Sequence, residues 1–281
     1  MTLRQLLLAA ALAYASPCWA GIVAREWSYH AKSPSGMTRV ELHFKDVTTN
    51  STPVGVLVLC PGMNGDGACL LSDDKWIQFA WRNNLLMVGL SFASNVEDLK
   101  NGKGYYYADK GSGNELLKGL KTAKAGGLPL FLYGFSGGAH FTSRFVLWNP
   151  QHVRAWCAYS AAWWSAPLIG KEYPFGIVAC GERDFRIDPS RAFFEAGRNF
   201  GAQWLWIGVR EVGHVSSPAL EDFFREYVES LLQIGNGHKG VWINVHTGRE
   251  EKEIFVKRFP CAVGWLPERS LLAGWKRIRG L

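Results

Sequence analysis

Short apolar runs alternate along the chain with longer stretches that carry apolar residues on one face only. The nearly continuous runs predict strands buried on both faces, and the one-sided stretches predict amphipathic helices. Strands that alternate with helices at this spacing favour an α/β fold with a mostly parallel, doubly wound sheet. The predicted strands are 54–60, 85–92, 128–133, 153–160, 175–180 and 203–209, and the predicted helices are 73–84, 112–125, 139–148, 189–200 and 218–234.

Two further strands open the sheet. Residues 22–30 and 39–47 flank a turn signal at 34–36, and the second run alternates apolar and polar residues, so we expect an antiparallel pair. Ser112 with Glu115 three residues later matches a capping box at the start of helix 112–125.

The first twenty residues have the pattern of an export signal. Arg4 precedes an apolar core at 6–15, and Cys18-Trp19-Ala20 places small residues where a signal peptidase cuts, so we expect cleavage before Gly21. The core is too short to span a bilayer comfortably, although an uncleaved anchor is the alternative. The prediction is a signal peptide at 1–20, a catalytic domain at 21–234, and a secreted or periplasmic protein without stable membrane insertion.

The charge lies mostly in the tail. The chain has a formal net charge of +7, and residues 235–281 contain nine Lys or Arg against four Glu. An exported chain without a recognition module is not expected to bind nucleic acid. The basic extension 235–281 either packs on or beside the domain or contacts anionic cell-surface material. We favour packing, because Trp242, Phe255 and Trp265 need burial.

The local sequence pattern predicts a hairpin and a helix in the extension 235–281. Runs 241–245 and 253–259 flank Thr247-Gly248, which predicts an antiparallel hairpin, and 269–281 predicts a short basic helix that carries Trp275. Five cysteines remain after the signal, and an oxidising compartment leaves disulfide pairing between two of them, Cys60 and Cys69, open. The other three are Cys157, Cys180 and Cys261.

A candidate nucleophile follows the strand at 128–133. Gly134-Phe135-Ser136-Gly137-Gly138 joins this strand to the helix at 139–148. Glycines on either side of the serine permit a tight turn that exposes the hydroxyl at the sheet edge. The helix directs its first N–H groups toward any negative charge that develops there.

An acid and a base follow in the required order. Asp184 comes after strand 175–180 and His214 after strand 203–209, and Ser, Asp and His in this sequence are typical of the α/β-hydrolase triad. Within the same loop, Glu182 and Asp188 are alternative acids, although Asp188 precedes Pro189 and resembles a helix cap. His140 is the alternative base; four residues after the serine it points along the helix.

The remaining site residues lie on loops at the same sheet edge. The oxyanion hole needs two backbone donors, for which position favours Gly137 and Met63, with Asn64 as the second choice to Met63. The loop 161–173 is too short to hold a large cap domain. Loop residues expected to bind substrate are Asn64, Tyr106, Trp163, Trp164 and Phe185.

The residues at 134–138, 141–145 and 159–164 resemble those of secreted α/β-hydrolases, most of all the polyhydroxybutyrate-depolymerase and feruloyl-esterase-like group. The resemblance covers about 54–234 and implies a hydrolase that acts on carboxylic esters, small or polymer-linked, with Ser136, Asp184 and His214 as its triad. The hydrolytic mechanism that the resemblance implies requires no metal and no organic cofactor. Two other functions stay open: a serine peptidase or amidase on the same fold, and a non-catalytic protein that binds glycan or cell wall.

Overall fold

The fold is described by a computed structural model that covers residues 24–48, 51–234 and 239–281. The predicted signal peptide at 1–20 and the junction at 235–238 lie outside the described residues, as do the first residues predicted for the opening strand. No helix in the described ranges is both long and apolar enough to cross a membrane.

The core is an eight-stranded sheet with the order β1-β2-β4-β3-β5-β6-β7-β8. The first two strands pair antiparallel with each other, and β2 pairs antiparallel with β4. All other neighbours are parallel, as the alternation of strands and helices predicted. The strands are β1 (Arg25–His30), β2 (Arg39–Asp46), β3 (Gly55–Cys60), β4 (Leu85–Ala93), β5 (Leu130–Phe135), β6 (Val153–Tyr159), β7 (Phe175–Gly181) and β8 (Trp204–Val209).

Burial follows the predicted pattern. Every residue of β3 and β8 is buried, whereas β2 alternates between buried and half-buried residues. The apolar runs therefore mark strands covered on both faces, and the alternating run marks the antiparallel flank. Nine helices lie within the described ranges: α1 (Gly67–Leu70), α2 (Asp74–Arg82), α3 (Val96–Lys100), α4 (Ser112–Thr122), α5 (Gly137–Trp148), α6 (Ile187–Asn199), α7 (Pro218–Gln233), α8 (Glu253–Arg258) and α9 (Leu272–Arg279).

Two predicted helix caps are wrong. Helix α4 is preceded by Gly111, so Ser112 is its first residue rather than its cap, and its Oγ donates to the carbonyl of Tyr105 at 2.9 Å. Asp188 is not a cap either, because α6 already begins at Ile187. A carboxylate in this first turn is still favoured by the helix dipole.

The predicted hairpin in the tail is wrong. Strand β9 (Val241–Asn244) pairs instead with β10 (Val263–Leu266), and the segment expected as its partner forms α8. Periodicity distinguishes helix from strand poorly in a run this short, so the pairing depends on contacts distant in sequence.

The tail packs against the last strand of the main sheet. Trp265 and Trp275 are fully buried, and Trp275 Nε1 donates to the carbonyl of Trp206 in β8 at 2.9 Å. The guanidinium of Arg198 lies 4.2 Å from the ring of Trp242 and donates to the carbonyl of Val263 at 2.9 Å. Helix α9 carries Trp275 as predicted.

The cysteines of the described chain are free thiols. Cys60 is buried at the end of β3 and Cys69 is exposed in α1, so no bridge joins them. Burial raises the pKa of Cys60 to about 12, which keeps the thiol protonated and unreactive at neutral pH.

Candidate active site

The candidate nucleophile lies on a strained turn between β5 and α5. Ser136 has φ 52° and ψ −111°, and its N–H donates to the carbonyl of Tyr159 at 2.8 Å. Such a backbone costs about 1–3 kcal/mol and persists only where its surroundings hold it. A Cβ on Gly134 would lie 2.6 Å from the carbonyl carbon of Gly138, and one on Gly138 would lie 2.6 Å from the oxygen of Pro61. Both glycines are therefore required by backbone packing.

Three side chains from separate loops form one hydrogen-bonded chain. Ser136 Oγ lies 2.8 Å from His214 Nε2, and His214 Nδ1 lies 2.7 Å from Asp184 Oδ2. The residues follow β5, β8 and β7 respectively, whose carboxyl ends meet at one sheet edge. The sequence-predicted nucleophile, base and acid are thus brought together by the fold.

Asp184 is held by an arginine that the sequence analysis did not identify. Its buried carboxylate accepts hydrogen bonds from the Arg186 side chain at 2.9 Å and from the Arg186 N–H at 3.2 Å. Burial alone would raise the pKa of Asp184, but the hydrogen bonds from His214 and Arg186 outweigh it and hold the pKa below its ordinary value. The acid therefore stays ionised beside the imidazole.

The alternative acids and base lie elsewhere. Glu182 accepts the N–H of Glu211 at 3.4 Å, and Asp188 lies in the first turn of α6. His140 is buried in α5, where its Nε2 accepts the N–H of Ala162 at 3.2 Å. Nδ1 consequently carries the proton and donates to the carbonyl of Trp163 at 3.0 Å. The His140 ring therefore holds the loop after β6, and among the described residues it forms no hydrogen bond with the Ser136 hydroxyl.

The environment keeps this histidine neutral. Burial lowers the pKa of His140 to about 3, and the nearby guanidinium of Arg144 acts in the same direction. Its ring stacks on Tyr106 with 4.3 Å between centroids. Tyr106 is therefore a buried residue that packs against α5, and its side chain is not exposed to a substrate as the sequence had led us to expect.

The predicted oxyanion donors meet beside the serine. A Cβ built on Gly137 would lie 2.7 Å from the nitrogen of Met63, which places these two backbone segments in close contact. Within the described chain, neither the Met63 nor the Gly137 N–H has an acceptor. The N–H of Asn64, the second choice, donates to the hydroxyl of Tyr105 at 3.2 Å.

Tyr105 and Ser94 fix the oxyanion loop. Asn64 has φ 57°, and its side chain both donates to the carbonyl of Ser94 at 3.1 Å and accepts the Ser94 N–H at 3.0 Å. The Asn64 side chain therefore holds the oxyanion loop to Ser94, and the Tyr105 hydroxyl holds the same loop by accepting the Asn64 N–H. Tyr105 belongs to a run of three tyrosines at 105–107 in the sequence. No local pattern links this run to Asn64, 41 residues earlier.

Exposed apolar side chains adjoin the site residues in sequence. Met63, Trp163, Phe185 and Val215 are 49%, 49%, 78% and 58% exposed, and Val215 directly follows His214. Trp164, in contrast, stacks on Phe193 at 4.3 Å on the inner side of its loop. Trp163 and Phe185 are thus available to a ligand, and Trp164 is a packing residue.

Comparison of the sequence with protein-family models and with curated proteins gave no match. Solved structures do resemble the chain. A poly(3-hydroxybutyrate) depolymerase from Bordetella parapertussis is 18% identical, with a TM-score of 0.54 over 84% of this chain and 94% of the depolymerase. An S-formylglutathione hydrolase from Agrobacterium tumefaciens is 14% identical, with a TM-score of 0.58 over 76% and 95%.

An esterase from the archaeon Pyrobaculum calidifontis is 10% identical, with a TM-score of 0.55 over 74% of this chain and 85% of the esterase. This likeness extends over most of the chain, and within the chain it accompanies a mostly parallel mixed sheet and a tight strand-turn-helix at Ser136. The chain has the α/β-hydrolase fold. In this fold, side chains from loops after successive parallel strands converge at the carboxyl edge of the sheet.

The α/β-hydrolase scaffold explains what this arrangement can do. A hydroxyl hydrogen-bonded to an imidazole, which in turn donates to a carboxylate, can attack a carbonyl carbon and pass its proton to the imidazole. Two N–H groups without acceptors beside that hydroxyl can stabilise the negative oxygen that results. The arrangement suits acyl transfer.

Proposed function

We propose that this protein is a serine hydrolase that cleaves carboxylic esters. The observation that carries the proposal is the unbroken hydrogen-bonded chain from Ser136 through His214 to Asp184. Two backbone donors without acceptors in the described chain support it: Gly137 directly follows Ser136, and Met63 packs against Gly137. The likeness in fold to esterases and to a polyester depolymerase supports the same reading.

Ser136 Oγ attacks the ester carbonyl while His214 Nε2 takes its proton. Asp184 accepts the Nδ1 hydrogen, which fixes the tautomer in which Nε2 is the acceptor and stabilises the imidazolium that forms. The tetrahedral oxygen receives hydrogen bonds from the Met63 and Gly137 N–H groups. The imidazolium then protonates the departing alcohol, and a water molecule activated by His214 releases the acid from Ser136.

The surroundings of the serine favour an ester with an apolar part. Exposed Phe185 and Val215 directly follow the acid and the base in sequence, and Met63, whose N–H is an oxyanion donor, also has an exposed side chain. Exposed apolar side chains around a site are characteristic of ligand or polymer contact. Trp163 and Phe185 offer rings on which an acyl, aryl or sugar group can stack. Export through the segment at 1–20 would bring the enzyme to polymeric or cell-surface esters.

The test is a panel of aryl esters of short, long and hydroxycinnamoyl acids, assayed beside the matching anilides. We expect wild type to hydrolyse at least one ester class, the anilides to react far more slowly, and Ser136→Ala to be inactive. Ser143→Ala, on the same helix, is the matched control, and it should keep activity because the one hydrogen bond of Ser143 Oγ within the described residues goes to the carbonyl of His140, at 3.3 Å.

A fluorophosphonate probe reports the nucleophile independently of substrate choice. It should label wild type and Ser143→Ala but not Ser136→Ala. Labelling that persists in Ser136→Ala would contradict the assignment of the nucleophile. Faster turnover of anilides than of esters would replace the esterase by an amidase.

A further inference from the structure

A cavity of about 390 Å³ lies along the side of α5, apart from the triad residues. We call it the α5 cleft. Its walls include Arg144 and Trp148 from α5, Tyr107 from the loop before α4, and Lys171 from the loop after β6. The proposed mechanism uses none of these side chains.

Arg144 is the unusual residue of the α5 cleft, because it is a buried cation without a buried anion. Arg144 is 6% exposed, and its guanidinium forms no ion pair with any carboxylate of the described chain. Nε donates to Ser165 Oγ at 3.1 Å, and the guanidinium stacks on the ring of Tyr107 at 4.6 Å. Burial lowers the pKa of Arg144 from its ordinary value, which reflects the cost of holding this charge away from water.

The remaining contact of the guanidinium is weaker than its distance suggests. Arg144 Nη1 lies 3.2 Å from His140 Nδ1. That nitrogen already carries the hydrogen given to the carbonyl of Trp163, because His140 Nε2 accepts the N–H of Ala162. Two donors therefore face each other, and the one acceptor that the described residues leave to Nη1 is the carbonyl of His140 at 3.4 Å.

The charges around the α5 cleft compensate Arg144 only in part, since Asp109 attracts it through space without forming an ion pair with it. Lys110 and Lys171 are exposed cations on its wall, and the single acid, Asp109, lies 3.5 Å from Lys110. Three cations therefore share one carboxylate. A buried guanidinium is costly unless a hydrogen-bonded anion pairs with it, and a carboxylate matches its planar fork in two parallel hydrogen bonds.

We propose that the α5 cleft binds a carboxylate carried by an organic ligand, with Arg144 as its principal partner. Tyr107, Leu147, Trp148 and Leu168 give the cleft apolar walls, which suit an organic acid better than an inorganic anion. Arg144 follows Ser136 by eight residues along α5, a rise of about 12 Å. Resting on the proposed function, this geometry points to extended esters that carry a free carboxylate about 12 Å from the reacting carbonyl.

Binding to Ser136→Ala tests the proposal without depending on hydrolysis. The probe is the monomethyl ester of dodecanedioic acid, compared by calorimetry with the same molecule in which a neutral carboxamide replaces the acid. We expect the acid to bind at least about tenfold more tightly, because charged hydrogen bonds contribute that much or more. Monomethyl succinate should show no preference over its amide, since its carboxylate is too close to the ester to reach Arg144.

The preference for the acid should disappear when Arg144→Gln is added. Lys171→Gln, an exposed change that does not disturb packing, should reduce it by a factor of a few, whereas Lys257→Gln in the tail makes the same change in charge and should leave it intact. Lys171→Gln keeps the test decisive even where Arg144→Gln does not fold.

Equal binding of acid and amide, or a preference that survives both cleft variants, would overturn the proposal. If wild type hydrolyses no ester while the preference for the acid is present, the proposed function fails and the α5 cleft remains an anion site. If wild type hydrolyses esters and the preference is absent, only the cleft proposal fails.

Discussion

Placing alanine at residue 137 tests the link between the nucleophile turn and the oxyanion loop. A Cβ there would lie 2.6 Å from the Cα of Met63 and 2.7 Å from its nitrogen, and it would also meet the hydroxyl of Tyr105. Real Cβ atoms do not approach backbone so closely. Because the obstacle is mostly backbone, a rotamer change cannot relieve it, and the Met63 segment has to move.

The size of the effect follows from this overlap. Forcing an extra methyl into a packed site costs about 1–3 kcal/mol of stability. Loss of one oxyanion donor lowers kcat by about 10²–10³-fold. Gly137→Ala should therefore fold with reduced stability and show a kcat at least about 100-fold below wild type. KM should change little, because the displaced N–H acts mainly in the transition state.

The matched control is Gly62→Ala on the same oxyanion loop. Its Cβ would meet only the ring of Phe135, at 3.8 Å, which is an ordinary contact. Both variants are assayed for hydrolysis of one aryl ester and for their unfolding midpoint in urea. We expect Gly62→Ala to keep kcat within a few-fold of wild type. If Gly137→Ala matched it, the inferred crowding of the oxyanion hole would be refuted.

Three further predictions follow from other residues. Tyr105→Phe removes the acceptor of the Asn64 N–H and should lower kcat about tenfold with KM little changed, as measured by steady-state kinetics. An unchanged kcat would mean that the oxyanion loop keeps its conformation without this hydrogen bond. Because the pKa of His140 is about 3 in the fold and about 6.5 when unfolded, its contribution to stability is complete above pH 6.5 and is lost as the pH falls toward 3. His140→Gln should remove up to about 1.4 kcal/mol per pH unit from the slope of urea stability in that interval, and parallel slopes would argue against a neutral, buried His140. In the native protein, iodoacetamide at pH 8 should modify the exposed Cys69 and spare the buried Cys60, because burial raises the pKa of Cys60 to about 12. Mass spectrometry before and after unfolding will show whether Cys60 reacts only in the unfolded protein.

Much of the fold could be predicted because the decisive signals are local. The strand ahead of Ser136 is a continuous apolar run, and its turn carries glycines where a Cβ would strike backbone. The antiparallel flank appears as strict alternation in β2. Each signal depends on a period of two, a period of about 3.6, or the conformational freedom of glycine, all of which act over a few residues.

The errors occur where a partner outside the local pattern decides the structure. Strand β9 pairs with β10, past a helix that local periodicity had read as a strand. Ser112 lost its expected role as a cap because Gly111 takes that position and the hydroxyl turns to the carbonyl of Tyr105. A periodic pattern does not show which of several backbone groups a side chain will bind, or which distant strand a segment will pair with.

The candidate site divides in the same way. By itself, the sequence determined which residue types stand just beyond the ends of the strands, namely Ser136, Asp184 and His214, because each follows an apolar run within about five residues. Only the tertiary structure decided that Arg186 holds the acid and that Arg144 is a buried cation without an anion. The physical reason is that strand order comes from short-range patterns, whereas burial, hydrogen-bond partners and pKa values are set by atoms that folding brings together from distant parts of the chain.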